Sequence, residues 1–136
     1  MMAGFANAED LRRYIGGIFE TALRSPEIGP KLRDTGLVLK VTTFDPDAEL
    51  TIDLPNEKIG LGDLGLTPDA TMRMSSADAN LFWQGKVNLP IAMARKKIVV
   101  DGKMAPLLKL VPQTKPLFAI YIDLLKADNR TDLLAD

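Results

Sequence analysis

Residues 69–102 read DATMRMSSADANLFWQGKVNLPIAMARKKIVVDG, and this stretch decides the fold. Ala70, Met72 and Met74 alternate with Thr71, Arg73 and Ser75, the two-residue period of a half-buried strand whose apolar side chains all face one way. Ser75 or Ser76 stands where a helix cap is needed, and Asp78, three positions after Ser75, makes a capping-box-like start. Ala77 to Gln84 holds good helix formers until Gly85 stops them. Lys86 to Arg95 predicts a second short helix around Pro90, and Ile98, Val99 and Val100 predict a buried strand closed by the turn pair Asp101-Gly102. Two apolar strands thus enclose a helical middle rich in methionine and aromatic residues, as the wall of an apolar container would.

Upstream, Asn7 with Asp10 three positions on predicts a helix cap, after which Leu11, Tyr14, Ile15, Ile18, Phe19, Ala22 and Leu23 recur at helical spacing. Gly16-Gly17 inside this helix costs about 1 kcal/mol each relative to alanine, which a bend or the close approach of a sheet or lipid would offset. Ser25-Pro26 and Gly29-Pro30 end it. Leu37 to Phe44 reads as a strand with Leu37, Leu39 and Val41 on one face, and Asp45-Pro46-Asp47 as a turn. Leu50, Ile52 and Leu54 alternate with Glu49, Thr51 and Asp53, so the two strands predict an antiparallel hairpin with one wet face; Glu57 to Leu61 adds a third, weaker strand.

The central stretch resembles the sterol carrier protein 2 (SCP2) domain family. The resemblance lies in the pattern Asp-x-Thr-x-x-Met-Ser (Asp69, Thr71, Met74, Ser75), a helix ending at Gly85, a second small-residue helix (Ala92, Ala94), and Lys-Ile-x-Val-x-Gly (Lys97, Ile98, Val100, Gly102). It extends over residues 5–112. It implies an α+β domain, a single mixed, mainly antiparallel five-stranded sheet with helices covering one face and a hydrophobic tunnel between the layers. The tunnel would hold a fatty acid, fatty acyl-CoA or sterol-like lipid, and no catalytic residue comes with the family. The implied lipid-binding domain covers residues 1–112, and 113–136 form a helical extension packed on it as a lid or a dimer contact.

Given such a tunnel, its candidate lining is the apolar residues of the faces turned inward. These are Ile15 and Phe19 from the first helix, Leu39, Val41, Leu50 and Ile52 from the hairpin, and Met72 and Met74 from the following strand. Phe82, Trp83, Ile91 and Met93 come from the helical middle, and Leu107, Leu117, Tyr121 and Leu125 from the last helices. Each residue also fits plain core packing. Phe82 and Trp83 are adjacent on a helix, so at most one of them is expected to face the interior. Flexible Met72, Met74, Met93 and Met104 would let the wall repack around ligands of different shape.

The chain has 136 residues, a common single-domain length, and a net charge of −1, so bulk attraction to nucleic acid or membrane is not expected. It contains neither histidine nor cysteine, which removes most nucleophilic triads, zinc sites and neutral-pH acid–base pairs. No enzyme activity, cofactor or metal site is expected. Absence of cysteine, of a secretory signal in MMAGFANAEDLRR, of a membrane-spanning run and of a peroxisomal address at Leu-Leu-Ala-Asp together predict a cytoplasmic location.

Two motifs carry less than they promise. Gly60-Leu61-Gly62-Asp63-Leu64-Gly65 matches the dinucleotide-binding string, but charged Asn56-Glu57-Lys58 leads in and Leu66-Thr67-Pro68-Asp69 leads out towards a strand, so a loop or β-bulge is expected. Asn129-Arg130-Thr131 matches a glycosylation acceptor that has no physical meaning without a secretory route.

Charge is uneven along the chain. Residues 45–69 carry seven acids (Asp45, Asp47, Glu49, Asp53, Glu57, Asp63, Asp69) against Lys58, and residues 86–115 carry seven bases (Lys86, Arg95, Lys96, Lys97, Lys103, Lys109, Lys115) against Asp101. A solvated face accounts for this; alternatively Arg95, Lys96 and Lys97 meet an anionic headgroup, a CoA phosphate or, transiently, a membrane surface at the tunnel mouth. No aromatic residues interleave with these bases, which argues against nucleic acid.

Met104 to Leu110 gives a further helical stripe ended by Pro112, and Thr114-Lys115-Pro116 starts a helix whose Leu117 to Leu125 is apolar almost all round. Such a helix needs cover on two sides, from its own domain in a monomer or from a symmetric partner in a homodimer. The function these features predict is non-catalytic binding and transfer of a hydrophobic ligand. The alternative is an interaction or dimerisation module with a filled core that docks onto a lipid-metabolising enzyme.

Overall fold

The computed structural model describes residues 4–135. Helix α1 (Ala8–Leu11) begins at Asn7, whose side chain accepts the Asp10 amide at 2.9 Å; it runs through a π-helical turn (Arg12–Gly16) into α2 (Gly17–Arg24), and α3 (Ile28–Asp34) follows. The glycine pair sits where neighbours come close. A Cβ on Gly16 would lie 3.2 Å from Ile59 and one on Gly17 3.3 Å from Leu124, so the pair permits contact with the sheet and with the last helix.

Strands β1 (Val38–Phe44), β2 (Ala48–Asp53), β3 (Lys58–Leu61), β4 (Ala70–Ser75) and β5 (Val99–Gly102) form one sheet in the order β3-β2-β1-β4-β5. The β1–β2 hairpin pairs Leu39 with Ile52 and Val41 with Leu50, which stacks four fully buried side chains on one face. The only parallel pairing among the described strands, β1 with β4, is central, and all the others are antiparallel. Asp69 fastens its start: its amide donates to the Val38 carbonyl and its carboxylate accepts the Val38 amide, each at 2.8 Å, while its own carbonyl accepts the Lys103 amide at 2.7 Å. One residue therefore ties the beginnings of β1 and β4 to the end of β5.

Helices α4 (Ser76–Trp83) and α5 (Leu89–Ala94) connect β4 to β5. Ser75, not Ser76, caps α4, accepting the Asp78 amide at 3.0 Å; the buried Ser76 hydroxyl accepts the amide of Phe5. Asn88 caps α5 by accepting the Ile91 amide, so this helix starts three residues later than its sequence suggests. Helix α6 (Met104–Leu110) passes through a 3-10 turn (Val111–Gln113) into α7 (Thr114–Ala127), so Pro112 redirects the chain without breaking it off.

Two local expectations are corrected. β5 is an edge strand, not a buried one: Ile98 before it is buried, Val99 is exposed, and Asp101 and Gly102 pair with Thr71 and Ala70 instead of turning. The face expected to be wet is partly covered, since the loop after β3 folds back and the Thr51 hydroxyl donates to the Gly62 carbonyl. Buried Asp53 is satisfied by the Asn56 amide and side chain. The glycine-rich string is the end of β3 followed by a loop, with positive φ at Gly62, Leu64 and Gly65 and no helix after it.

Gly102 has φ +109° and its missing side chain would occupy the space of the Asp69 carbonyl. Gly102→Ala is therefore expected to cost about 2 kcal/mol, from backbone strain plus the clash, and to lower the midpoint of urea unfolding accordingly.

Candidate functional site

The core is not uniform. Ile15, Ile18, Phe19 and Ala22 of the first helix, Leu39, Val41, Leu50 and Ile52 of the hairpin, Met74 of β4, and Leu117, Tyr121 and Leu125 of α7 are all fully buried in one continuous cluster. The Phe19 and Trp83 rings meet edge to face at 5.4 Å, joining α2 to α4, and Phe82 meets Phe118 at 5.9 Å, joining α4 to α7. Packed rings of this kind add roughly 1 kcal/mol beyond their burial.

Beyond that cluster, at the β4–β5 side of the sheet, lies a cavity of about 420 Å³. Met72 and Val100 form its floor, Phe82 and Trp83 of α4 its inner wall, Leu89, Pro90 and Met93 of α5 one side, and Met104, Leu107, Leu108, Leu110, Val111 and Thr114 the other. Met93, Met104, Leu108 and Val111 are exposed, which marks the mouth; Trp83, 1% exposed, marks the closed end. Only two lining side chains carry a polar hydrogen, Thr114 and Trp83. The Thr114 hydroxyl donates to the Val111 carbonyl at 2.9 Å, whereas the buried Trp83 Nε1 has no protein acceptor. No Lys, Arg, Asp or Glu among the described residues lines the cavity.

Of the sixteen apolar residues singled out from the sequence, the structure brings Met72, Phe82, Trp83, Met93 and Leu107 together here. Phe82 and Trp83 both contribute, although adjacent helical positions suggested only one: they stand perpendicular to each other at 5.1 Å at the end of α4, and both rings reach the wall. Ile15, Phe19, Leu39, Val41, Leu50, Ile52, Met74, Leu117, Tyr121 and Leu125 sit in the packed cluster instead, and Ile91 is 49% exposed on the outer surface of α5. Leu108 and Val111 are lining residues that the sequence analysis does not single out, although with Met104 and Leu107 they recur at i, i+3, i+4 and i+7, a stripe wholly on one helix face.

A buried polar cluster holds the inner wall in place. The Tyr121 hydroxyl donates to Asn80 Oδ1 at 2.6 Å, and Asn80 and Gln84 side-chain amides donate to the Leu133 carbonyl at 2.8 and 2.9 Å. Gln84 Oε1 in turn accepts the Ala135 amide at 2.8 Å. The last residues are thus bound to α4, and Arg130, stacked on Tyr14 at 5.1 Å and paired with Asp132 and Asp10, secures them on the other side. That pairing holds the Asp132 carboxyl below its usual range.

Arg95, Lys96 and Lys97 follow α5 directly, all exposed, and none forms an ion pair among the described residues. Lys96 has φ +58°, and the amides of Lys96 and Lys97 close the end of α5 on the carbonyls of Met93 and Ala92. This is a glycine-type helix ending occupied by lysine. Most of the acids of residues 45–69 lie in β2 and in the turns and loop around β2 and β3, whereas Asp69 stands at the start of β4.

A single mixed sheet thus carries an apolar cavity under its helical layer, free of charged side chains among the described residues. The model of the SCP-2 sterol transfer family matches residues 19–114, and the chain belongs to that family. The fold is similar to the solution structure of the sterol carrier protein domain 2 of Helicoverpa armigera, with a TM-score of 0.70 at 20% identity over 86% of this chain and 96% of that one. It also resembles the apo form of sterol carrier protein 2 from Yarrowia lipolytica (TM-score 0.58, 16% identity, 76% and 86% covered). A third similar structure is the UbiJ-SCP2 ubiquinone synthesis protein (0.57, 15%, 79% and 88%). Among curated proteins none matches the sequence. No helix among the described residues is long and apolar enough to cross a membrane.

Burial pushes the Tyr121 phenol well above its ordinary value of 10.0, because the ionised form would lose its hydration. Below pH 10 the group is neutral in both folded and unfolded chains; above it only the unfolded chain ionises readily, so its contribution to stability is lost as pH rises. Tyr121→Phe is expected to cost about 1 kcal/mol near neutral pH. The stability difference between wild type and Tyr121→Phe should shrink by on the order of 1 kcal/mol per pH unit above about pH 10, read from urea melts.

Proposed function

We propose that the chain binds a fatty acid, fatty acyl-CoA or sterol-like lipid in this cavity, shields it from water and transfers it, without catalysing a reaction on it. The carrying observation is a cavity of about 420 Å³ that no charged side chain lines. Its volume falls within the usual range for small-molecule sites. Each methylene moved from water into such a space gains roughly 0.8 kcal/mol, so an acyl chain of about sixteen carbons gains on the order of 10 kcal/mol before entropic costs. Affinity of that size needs no motif. Catalysis would need a general acid or base, and the nearest polar groups are a threonine hydroxyl and an indole. An interaction module with a filled core has less support, because the space between α4, α5, α6 and β5 is open.

Arg95, Lys96 and Lys97 are proposed as the headgroup or membrane contact, adjoining the mouth through Met93. Two features support this: exposed Ile91, Met93, Leu108 and Val111 lie alongside, and lysine occupies a left-handed position that glycine would take at lower cost. The same reading places the chain in the cytoplasm, in keeping with a sequence free of cysteine. Residues 113–135 are proposed as the lid or dimer contact packed on residues 4–112, a reading supported by the bonds from Asn80 and Gln84 to the Leu133 carbonyl.

Native mass spectrometry of the purified chain incubated with palmitate should show a one-to-one complex; a protein that stays apo and dimeric supports the interaction module instead. Leu107→Trp, which fills the cavity from α6, is expected to weaken palmitate binding at least tenfold with the melting temperature little changed. The triple change Arg95→Glu, Lys96→Glu, Lys97→Glu should slow transfer to phosphatidylserine vesicles by about tenfold or more at low salt, given about 1 kcal/mol per basic residue near an anionic surface. Molar salt should erase that difference.

A further inference from the structure

Four methionines fall among the described residues, and their placement is uneven. Met74 is fully buried in the packed cluster, whereas Met72, Met93 and Met104 all line the cavity. Met72 lies at the floor and is 4% exposed; Met93 on α5 and Met104 at the start of α6 stand at the mouth, 38% and 45% exposed. Thioethers are therefore concentrated where a lipid would enter. Leucine gives the same apolar lining, as Leu107 and Leu108 do on α6, without a sulfur that peroxides attack. The chain contains no cysteine, so no thiolate competes for such an oxidant, and exposure ranks the sulfurs: Met93 and Met104 first, Met72 next, Met74 last.

We infer that Met93 and Met104 form a modification site, where hydrogen peroxide converts the thioethers to sulfoxides and thereby lowers the affinity of the cavity for lipid. In that step a sulfur lone pair attacks one peroxide oxygen, the S–O bond forms as the O–O bond breaks, and the departing oxygen takes up the proton that the transferred oxygen gives up. The sulfur loses two electrons, the peroxide gains them, and water leaves. Each sulfoxide sets a strongly polar oxygen at the mouth, and a lipid that covers the mouth strips that oxygen of water. The lining has nothing to replace the water. The Thr114 hydroxyl donates to the Val111 carbonyl, the Trp83 N–H is buried, and no charged side chain among the described residues lines the cavity. This role rests on the proposal that the cavity holds a lipid, and it adds a means of turning that binding down.

The purified chain is treated with dilute hydrogen peroxide, its sulfoxides are mapped by peptide mass spectrometry, and binding of a fluorescent fatty acid is measured before and after. Met93 and Met104 should oxidise ahead of Met72 and Met74. The treated chain should bind the fatty acid about tenfold more weakly, equivalent to about 1.4 kcal/mol, and recover on incubation with methionine sulfoxide reductases A and B. The double variant Met93→Leu, Met104→Leu, compared with its own untreated state, should lose no affinity to peroxide. Oxidation that begins at Met72 or Met74 overturns the site, and sulfoxides at Met93 and Met104 with affinity unchanged overturn its effect on binding; both results leave lipid binding intact. A loss as large in the double variant as in wild type places the damage elsewhere and overturns the assignment as well. Failure of the untreated chain to bind the fatty acid overturns the lipid-binding proposal, and this role falls with it. The oxidation map and the reductase recovery in wild type decide the matter even if the double variant fails to fold.

Discussion

One face of the sheet is apolar from β2 to β5, and everything else in the molecule follows from how that face is kept from water. The first helix and its π-helical turn lie over β2 and β3 and α4 reaches β1, while α7 packs on α2 and α4 and closes the layer with close-packed side chains. Burying each large apolar residue there stabilises the fold by roughly 1.5–3 kcal/mol, and a dozen of them leave no room for anything else. Over β4 and β5 the cover changes character. The short helices α5 and α6 are six and seven residues long, and between them and the strands the packing opens into a cavity. The same apolar face is thus a core at one end and a receptacle at the other.

Polar residues decide whether the receptacle keeps its shape. Asp69 pins β1, β4 and β5 at one end of the sheet, and Asn80 with Gln84 fixes the helix that carries Phe82 and Trp83. Asn80 and Gln84 are buried and Asp69 is half-buried, and all three are hydrogen-bonded, which makes each of them costly to remove. The outer wall has no comparable network among the described residues; it is methionine and leucine, side chains that yield to the shape of what they touch.

Local chemistry was legible before any coordinates. The Asn7–Asp10 and Ser75–Asp78 caps, the period-2 strands, the break at Gly85 and the irrelevance of the glycine-rich string all follow from neighbours in sequence, whereas the end expected at Pro112 is a 3-10 turn leading on into α7. The family resemblance supplied the topology, and the sheet agrees with it. What the sequence concealed is where the core ends. Phe19 and Met72 are equally apolar and equally periodic, yet one packs fully buried against the Trp83 ring and the other floors a cavity, a difference set by what the opposite layer places above each. Asn80 and Gln84, four apart on a helix, look like a solvated face until Leu133 returns fifty residues later to use them. The edge position of β5 was hidden for a similar reason: Ile98, Val99 and Val100 form an apolar run, and nothing in the run says that only one side is paired.

That edge position has a mechanical meaning. Four residue pairs hold β5 to β4, and its other margin has no strand beside it. A wall hung from one seam can be lifted without tearing the fabric it hangs from: parting β5 from β4 would break that ladder alone and leave the parallel seam between β1 and β4 intact. Displacing β5 would strain only the hem of the sheet and leave the centre untouched.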